Sequence, residues 1–324
     1  MKFLELCAGI GGFRQALENL GCECVGYSEI DKHAIKLYSA WYNDECNFGD
    51  ITKIEAEKLP DFELLVGGFP CQAFSIAGKR GGFNDTRGTI FFDFARIMKA
   101  KKPKFAIFEN VKGLLNHDGG KTYETMLRTL DELGYNAQWG ILNTKFHGLP
   151  QNRERVYIVA NLRERSSTKI LFEREDGITD KVERTEQSIK SIAPCLMAGE
   201  YKSPRIVKIG DIDGLNTQYS RVYDSKGICA CLTVGGGSKI LSIGGCPPKV
   251  RRLTPKECFR LQGFKDEMVE LGYKLGISDT QLYKMAGNAV SVPVVEWVAQ
   301  RVLNWDNLQS VDTIQNDNLL GCWN

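Results

Sequence analysis

The stretch KFLELCAGIGGF, residues 2–13, decides the fold class of this chain. Lys2–Leu6 is a short, mainly apolar run typical of a buried strand, and Cys7–Phe13 is a glycine-rich turn. Glycines allow the backbone to bend sharply and to approach a ligand closely. We therefore predict a strand, a ligand-binding turn and a helix that runs to about Leu20. The turn lacks the dinucleotide pattern GxGxxG, so this stretch alone does not define the ligand.

Strands and helices continue to alternate along the first half of the chain. Further strands are expected at about 24–27, 64–66, 105–108, 137–142 and 155–160, with helices near 31–42, 89–101 and 123–133. Such alternation is typical of an α/β fold with a Rossmann-like, doubly wound and mostly parallel sheet. Ligands of such sheets bind beyond the carboxyl ends of the strands.

A candidate nucleophile follows the third predicted strand. Cys71 lies in GGFPCQAFS, residues 67–75, directly after the apolar run 64–66. Pro70 and the polar residues after Cys71 favour an exposed turn, which favours a functional thiol. The alternative is a buried structural thiol, because free cysteine is among the most buried residue types.

Acidic residues stand where other predicted elements end. Glu29 lies twenty residues beyond Gly9, at a position where nucleotide-binding folds bind ribose hydroxyls with an acidic residue. An acidic residue that stabilises the N-terminus of the following helix is an equally good interpretation of Glu29. Asp50 has the acceptor oxygens for an exocyclic amine, although by itself it is a turn residue. Glu109 ends the strand at 105–108 and would lie beside Cys71 if the two strands are neighbours.

Basic residues mark two further places. Arg80 and Arg87 lie in a glycine-containing polar loop, residues 76–88, whose composition suits a lid over a phosphate-bearing substrate. Arg153 and Arg155 are two residues apart at the start of a strand, so both can point into one site. The alternative for this pair is surface ion pairing.

Composition limits the class of protein. The 324 residues carry a net charge of only +2, which by itself indicates no polyanionic partner. There is no signal-peptide pattern and no apolar run of membrane-spanning length, so we expect a cytoplasmic protein. Its eleven cysteines should then be reduced, and without a CxxC pair we expect no metal site.

The character of the chain changes after Asn161. The following segment is charged, irregular and rich in short β-like pieces, and residues 201–252 carry nine basic against three acidic side chains. We predict a catalytic domain at 1–170, completed by 278–324, and a smaller loop-rich β domain at 171–277. Helices are expected again at about 254–262 and 293–305.

Nine short motifs, taken in order, point to one family. ELCAGIGG, SEID, GDI, GGFPCQAFS, DTRGT, FENV, QNRERVYIV, RRLTPKECFRLQGF and QLYKMAGNAVSVP resemble the motif series of the cytosine-C5 DNA methyltransferases of compact bacterial restriction-modification type. The resemblance runs from about Phe3 to Glu296 except for the variable middle. A single motif would be weak, but nine in the family's order are highly specific.

The resemblance implies an activity and roles for the residues already singled out. The enzyme would transfer a methyl group from S-adenosylmethionine to C5 of a cytosine flipped out of duplex DNA, leaving S-adenosylhomocysteine. Cys71 resembles the nucleophile that attacks C6, and Glu109 the acid at N3 and the 4-amino group. Arg155 is similar to the residue that binds the cytosine O2, and Arg153 to its companion near the thiol.

The same resemblance implies a cofactor site and a DNA-binding surface. The implied cofactor residues are Cys7, Ala8, Gly9, Gly11, Gly12, Glu29, Ile30, Asp50, Ile51, Pro70, Ile90 and Asn288. Cys7 stands where most relatives carry Phe, and Glu5 where Asp is usual, which bears on cofactor affinity more than on activity. Implied DNA contacts are Arg80 and Arg87 in the lid, Gln218 and Arg221 for base edges, and Lys226 and Lys239 for phosphates.

The partner expected from this resemblance is double-stranded DNA, with the enzyme acting as a monomer of bacterial or phage origin. A cognate restriction endonuclease would act on the same sequence without touching this chain. One alternative is a tRNA cytosine methyltransferase of similar architecture, which would lack the recognition segment at 214–237. A protein that only binds DNA and a dehydrogenase are weaker alternatives, because the catalytic set is intact and no dinucleotide pattern is present.

Overall fold

The computed structural model describes residues 1–69, 90–163 and 253–320, together with five short strands between 208 and 252. For those five strands and for residues 308–320 only the backbone is described. Several predicted site residues therefore lie outside the described residues: Pro70, Cys71, Arg80, Arg87, Gln218, Lys226 and Lys239. Arg221 is described only as part of a strand backbone.

A six-stranded sheet forms the centre of the molecule. Its strands are β1 (Lys2–Leu6), β2 (Glu23–Ser28), β3 (Leu64–Gly68), β4 (Phe105–Val111), β5 (Tyr135–Asn143) and β7 (Glu154–Leu162), in the order β2-β1-β3-β4-β7-β5. The strands β1 to β4 are parallel to one another, whereas β7 is antiparallel to both of its neighbours. The predicted mostly parallel sheet is confirmed.

The antiparallel strand has a simple cause. The connection between β5 and β7 contains a single helical turn, Thr144–Phe146, and the two-residue strand β6 (Gln151–Asn152). A parallel crossover needs a dozen or more residues and usually a full helix, whereas so short a connection returns the chain beside itself. Strand–helix alternation therefore stops after β5.

Helices cover both faces of the sheet. The helices are α1 (Gly12–Asn19), α2 (Lys32–Tyr42), α3 (Ile90–Lys101), α4 (Lys121–Glu132), α5 (Pro255–Arg260), α6 (Asp266–Lys274), α7 (Asp279–Asn288) and α8 (Val292–Leu320). Alternate residues of each strand point to opposite faces, so Phe3 and Val66 pack with α1 and α8 while Leu4 and Leu65 pack with α3 and α4. This is the doubly wound arrangement expected from the sequence.

A second, smaller sheet contains β8 (Lys208–Asp211), β9 (Arg221–Asp224), β11 (Ile240–Ile243) and β12 (Lys249–Arg252), in the order β12-β11-β9-β8. The two-residue strand β10 (Cys229–Ala230) pairs with β6 of the first half of the chain. Within the ranges that the structure describes, no helix is long and apolar enough to cross a bilayer.

Candidate active site

A cavity of about 440 Å³ lies at the carboxyl ends of β1 to β4. Most of the described predicted site residues line it: Cys7, Ala8, Gly9, Gly12, Glu29, Ile30, Asp50, Ile51, Ile90, Glu109, Arg153, Arg155 and Asn288. They come from both ends of the chain, because the segment after α7 closes the cavity opposite the strand ends. The volume suits a ligand of nucleoside size.

The glycine turn after β1 forms one wall. Gly9 and Gly11 have φ of 56° and 79°, a left-handed conformation that glycine adopts without strain. Gly11 is not among the lining residues; a Cβ there would lie 2.5 Å from the Tyr42 ring, so its role is to let the turn pack against α2. A Cβ on Gly12 would lie 2.6 Å from a Val290 methyl group, so this glycine allows α1 to approach the segment after α7.

Cys7 is the first residue of that turn and has a φ of 52°, unusual for a residue other than glycine. Burial, together with the carboxylates of Glu29 and Asp93, raises the pKa of its thiol to about 12. Cys7 therefore presents a neutral thiol to the cavity and is not a second nucleophile.

Glu29 is anchored beside the turn. One carboxylate oxygen accepts the Gly9 amide at 2.7 Å, and the other accepts the amides of Ile30 and Asp31 at 2.8 Å each. The N-cap of α2 is Asp31, whose carboxylate accepts the amides of His33 and Ala34. The N-terminal cap therefore belongs to Asp31, and Glu29 lies at the cavity wall.

Asp50 also lines the cavity, at the start of a short helical turn. Its Oδ1 accepts hydrogen bonds from the Thr52 hydroxyl at 2.8 Å and from the Thr52 amide at 3.0 Å. These bonds hold the pKa of Asp50 below its ordinary value, so the group stays charged at neutral pH.

Glu109 and Arg155 form the charged pair at the other end of the cavity. Both side chains are largely buried, and Arg155 Nε lies 3.1 Å from Glu109 Oε1. This buried oxygen has no aligned hydrogen-bond partner in the described part of the chain, so it retains acceptor capacity. Gly68 is the register partner of Glu109 in the sheet, and a Cβ on it would lie 3.1 Å from Glu109 Oε2.

Arg153 is held by backbone carbonyls at the end of α7. Its side chain is buried and donates to the carbonyls of Gly287 and Ala289 at 3.3 and 2.9 Å. Arg153 and Arg155 both line the cavity, so the structure brings the two arginines to one site. Surface ion pairing does not describe Arg153, which is 2% exposed.

Comparison with known proteins decides the family. A family model described as C-5 cytosine-specific DNA methylase matches residues 1–304. The chain belongs to the C-5 cytosine-specific DNA methylases. The family predicted from the nine motifs is therefore confirmed, and DNA cytosine methylation is supported over the tRNA alternative.

Individual relatives agree with this assignment. The methylase is 38% identical over 315 residues to the type II methyltransferase M.HhaI of Haemophilus parahaemolyticus, covering 93% of this chain and 94% of the relative. It is 40% identical over 316 residues to the type II methyltransferase M.HaeII of Haemophilus aegyptius, covering 95% and 94%. The S. pombe Dnmt2 methyltransferase structure shares the fold, with a TM-score of 0.69 at 23% identity, covering 94% of this chain and 98% of that one.

Lys284 and Asn110 are among the lining residues of the methylase that were not predicted from its sequence. Lys284 lines the cavity, and its Nζ lies 2.6 Å from Asp31 Oδ2, which joins α7 to α2 across the rim. Asn110 donates to the Phe69 carbonyl at 2.8 Å and so anchors the end of β3. Both residues lie inside motifs quoted above, FENV and QLYKMAGNAVSVP, but a motif does not indicate which of its residues contact one another in the fold.

In the described segments of the methylase, no group of three or more His, Cys, Asp or Glu side chains is placed to hold a metal ion.

Proposed function

We propose that the methylase transfers the methyl group of S-adenosylmethionine to C5 of a cytosine flipped out of duplex DNA. The observation that supports this most is the joint presence of Glu109, Arg153 and Arg155 with the glycine turn and Glu29 in one cavity. Glu109, Arg153 and Arg155 would bind the pyrimidine ring. The glycine turn and Glu29 would bind the adenosine part of the cofactor.

The residues present fit S-adenosylmethionine. Glu29 offers carboxylate oxygens to ribose hydroxyls, and Asp50, charged at neutral pH, offers an acceptor to the adenine amine. Ile30 is 73% exposed at the cavity, an apolar surface suited to an adenine ring, and Ile51 and Ile90 add apolar wall. When bound, this group supplies a methyl on a positively charged sulfur, which makes the methyl electrophilic.

Cys71 is proposed as the nucleophile. Only Pro70 separates it from Phe69, whose carbonyl is tied to Asn110 beside Glu109, and two residues of chain reach at most about 7 Å. Its thiolate would add to C6 of the cytosine and break the ring's aromaticity, so that C5 becomes able to attack the methyl carbon. Loss of the C5 proton and expulsion of the thiolate then restore the ring.

The other residues would hold the base during this addition. In the form that carries a proton, Glu109 would donate to N3 and accept from the 4-amino group, and Arg155 would donate to O2, so that negative charge developing on the ring is stabilised. Arg153 would support the nucleophile from its fixed place beside Gly287 and Ala289. The cost of flipping, a few kcal/mol, would be offset by these contacts and by the lid expected from the sequence at Arg80 and Arg87.

We further propose that the part of residues 171–277 that precedes α5 reads a specific DNA sequence, with Gln218 and Arg221 at base edges and Lys226 and Lys239 at phosphates. The catalytic unit would be 1–170 with 278–324, completed by α5 and α6, whose buried side chains share the core of α1 and α8. Because M.HhaI and M.HaeII are named type II methyltransferases, we propose that the modified sequence is also the target of a restriction endonuclease. The protein is proposed to act as a monomer.

A mechanism-based substrate tests this proposal. Duplex DNA containing 5-fluorocytosine at the target site should form a stable adduct with the methylase. After methylation, C5 carries fluorine in place of the proton that is normally removed, and fluorine cannot be removed in this way, so the thiolate is not expelled. The target site is first mapped by bisulfite sequencing of plasmid from expressing cells. Adduct formation with DNA and not with tRNA, and dependent on S-adenosylmethionine, is expected. Methylation of tRNA in preference to DNA would overturn the proposal.

A further inference from the structure

A row of buried polar side chains lies behind Arg153, away from the cavity. Its members are Thr144 after β5, Gln262 after α5 and Ser291 at the start of α8, and we name them the polar seam. Gln262 is 0% exposed, Ser291 1% and Thr144 2%. None of the three lines the cavity. Buried polar groups need partners, so the seam's hydrogen bonds constrain the elements that carry them.

Gln262 is the centre of the seam. Its Oε1 accepts from the Ser291 hydroxyl at 2.9 Å, and its Nε2 donates to the Ala286 carbonyl at 3.0 Å. Since the Ser291 proton is used in this way, the Thr144 hydroxyl donates to Ser291 Oγ at 2.7 Å. The Gln262 backbone carbonyl accepts the Val292 amide at 2.8 Å. The planar carboxamide of Gln262 carries both an acceptor, used by Ser291, and a donor, used by the Ala286 carbonyl.

The seam and Arg153 bind the same short segment from two sides. Gln262 contacts the residues at its ends, Ala286 and Ser291, whereas Arg153 contacts the carbonyls of Gly287 and Ala289 between them. The far end of the seam returns to Arg153, because the Thr144 amide donates to the Arg153 carbonyl at 3.1 Å. The segment also carries four lining residues of the cavity, at positions 287–290.

We propose that Gln262 is a positioning residue for methyl transfer. It sets the conformation of residues 286–291, and this segment in turn sets the place of the Arg153 guanidinium and of one cavity wall. The inference depends on the proposed function, because Arg153 acts there beside the nucleophile. Small displacements of a catalytic group lower the chemical step strongly, so loss of the Gln262 amide should reduce kcat by about 10- to 100-fold. The KM for DNA should change little, since Gln262 lies off the DNA-facing cavity.

The test uses a residue of nearly identical shape, Gln262→Glu. When the glutamate is ionised, it has no hydrogen to donate to the Ala286 carbonyl, and a negatively charged carboxylate oxygen lies against the partly negative carbonyl oxygen. When protonated, it donates to Ala286 and still accepts from Ser291. Burial raises the pKa of such a carboxyl, so the protonated form is populated near pH 6. Arg153, the nearby charged group, does not titrate in this range.

We therefore compare the ratio of two kcat values, that of Gln262→Glu divided by that of the unsubstituted methylase at the same pH. This ratio should approach 1 at pH 6 and should fall at least 10-fold by pH 8.5. Gln262→Leu should show the same low relative kcat at both pH values. Gln300→Glu, which adds a carboxylate on the exposed face of α8, is the matched control and should track the unsubstituted protein. Melting temperatures recorded at each pH ensure that all rates are taken on folded protein.

Two results would overturn the inference. A relative kcat of Gln262→Glu that does not change with pH would show that the amide proton is not required. A Gln262→Leu protein with unreduced kcat would show the same. If Gln262→Leu does not fold, the pH profile of Gln262→Glu decides alone. If the unsubstituted methylase methylates no DNA, the proposed function fails first, so the two failures are distinguishable.

Discussion

Arg155 Nε lies 3.1 Å from Glu109 Oε1, in a site where both side chains are largely removed from water. The pair joins the two strand ends that meet at the cavity, because Arg155 is the register partner of Val111 in β4. In the proposed mechanism this carboxyl group bonds the N3 edge of the cytosine and the guanidinium donates to its O2.

Glu109→Gln should therefore slow methyl transfer without preventing binding. We expect kcat to fall by about 10²–10⁴, the range typical of general acid contributions. The measurement is single-turnover transfer of tritiated methyl to duplex DNA. Glu154→Gln is the matched control, because Glu154 is an exposed carboxylate that pairs with Lys112. An unchanged rate in Glu109→Gln would remove this residue from the chemistry.

Cys71→Ser should abolish methylation and leave cofactor binding nearly intact, because a serine hydroxyl is a far weaker nucleophile than a thiolate. Calorimetric titration with S-adenosylhomocysteine measures binding, and tritium transfer measures turnover. The control is Cys46→Ser, which changes an exposed cysteine that does not line the cavity. Turnover retained by the Cys71 variant would exclude the proposed covalent step.

The ion pair between Lys284 and Asp31 crosses the cavity rim. Partial burial acts to raise the pKa of Asp31, but hydrogen bonds from Lys284, Ala34 and His33 outweigh it, so the pKa is lowered. Because the pair is partly exposed, Lys284→Met should change the free energy of unfolding by no more than about 1 kcal/mol.

The same variant should weaken S-adenosylhomocysteine binding several-fold, because α7 is no longer tied to α2 across the site. Lys256→Met removes an ion pair with Glu270 away from the cavity and should bind as the unsubstituted protein does. Equal dissociation constants for the two variants would mean that the rim pair has no part in ligand binding.

Glu5 should make the stability of the methylase depend on pH. Burial on β1 raises its pKa from 4.5 to about 8, although the Tyr38 hydroxyl and the Arg14 charge act in the opposite direction. Between these values the folded state binds a proton that the unfolded state has lost. The contribution of Glu5 to the free energy of unfolding is therefore fully present below pH 4.5 and is lost as the pH rises toward 8.

Glu5→Gln removes this titration. The difference in unfolding free energy, variant minus unsubstituted protein, should grow from pH 5 to pH 8 by up to about 1.4 kcal/mol per pH unit. Urea unfolding at fixed pH steps measures it. Parallel stability curves for the two proteins would show that Glu5 is ionised throughout the range.

Several elements could be predicted because their signals are local. The sequence places a strand at 105–108 and another at 155–160, and the structure has β4 at Phe105–Val111 and β7 at Glu154–Leu162. The helix expected at 293–305 is α8, which continues to Leu320. By contrast α6 was not predicted, and QLYKMAGNAV forms a helix of its own, α7, that ends at Asn288 before α8 begins.

The sequence by itself determined the fold class, the glycine turn, and the acidic residues at strand ends, because these follow from neighbouring residues and from motif order. Only the tertiary structure decided that β7 lies antiparallel between β4 and β5, and that Lys284 meets Asp31 across 253 positions of chain. It also decided that Gln262, Ser291 and Thr144 share one buried row. Such contacts depend on how distant segments pack, and the spacing of residues along a chain does not contain that information.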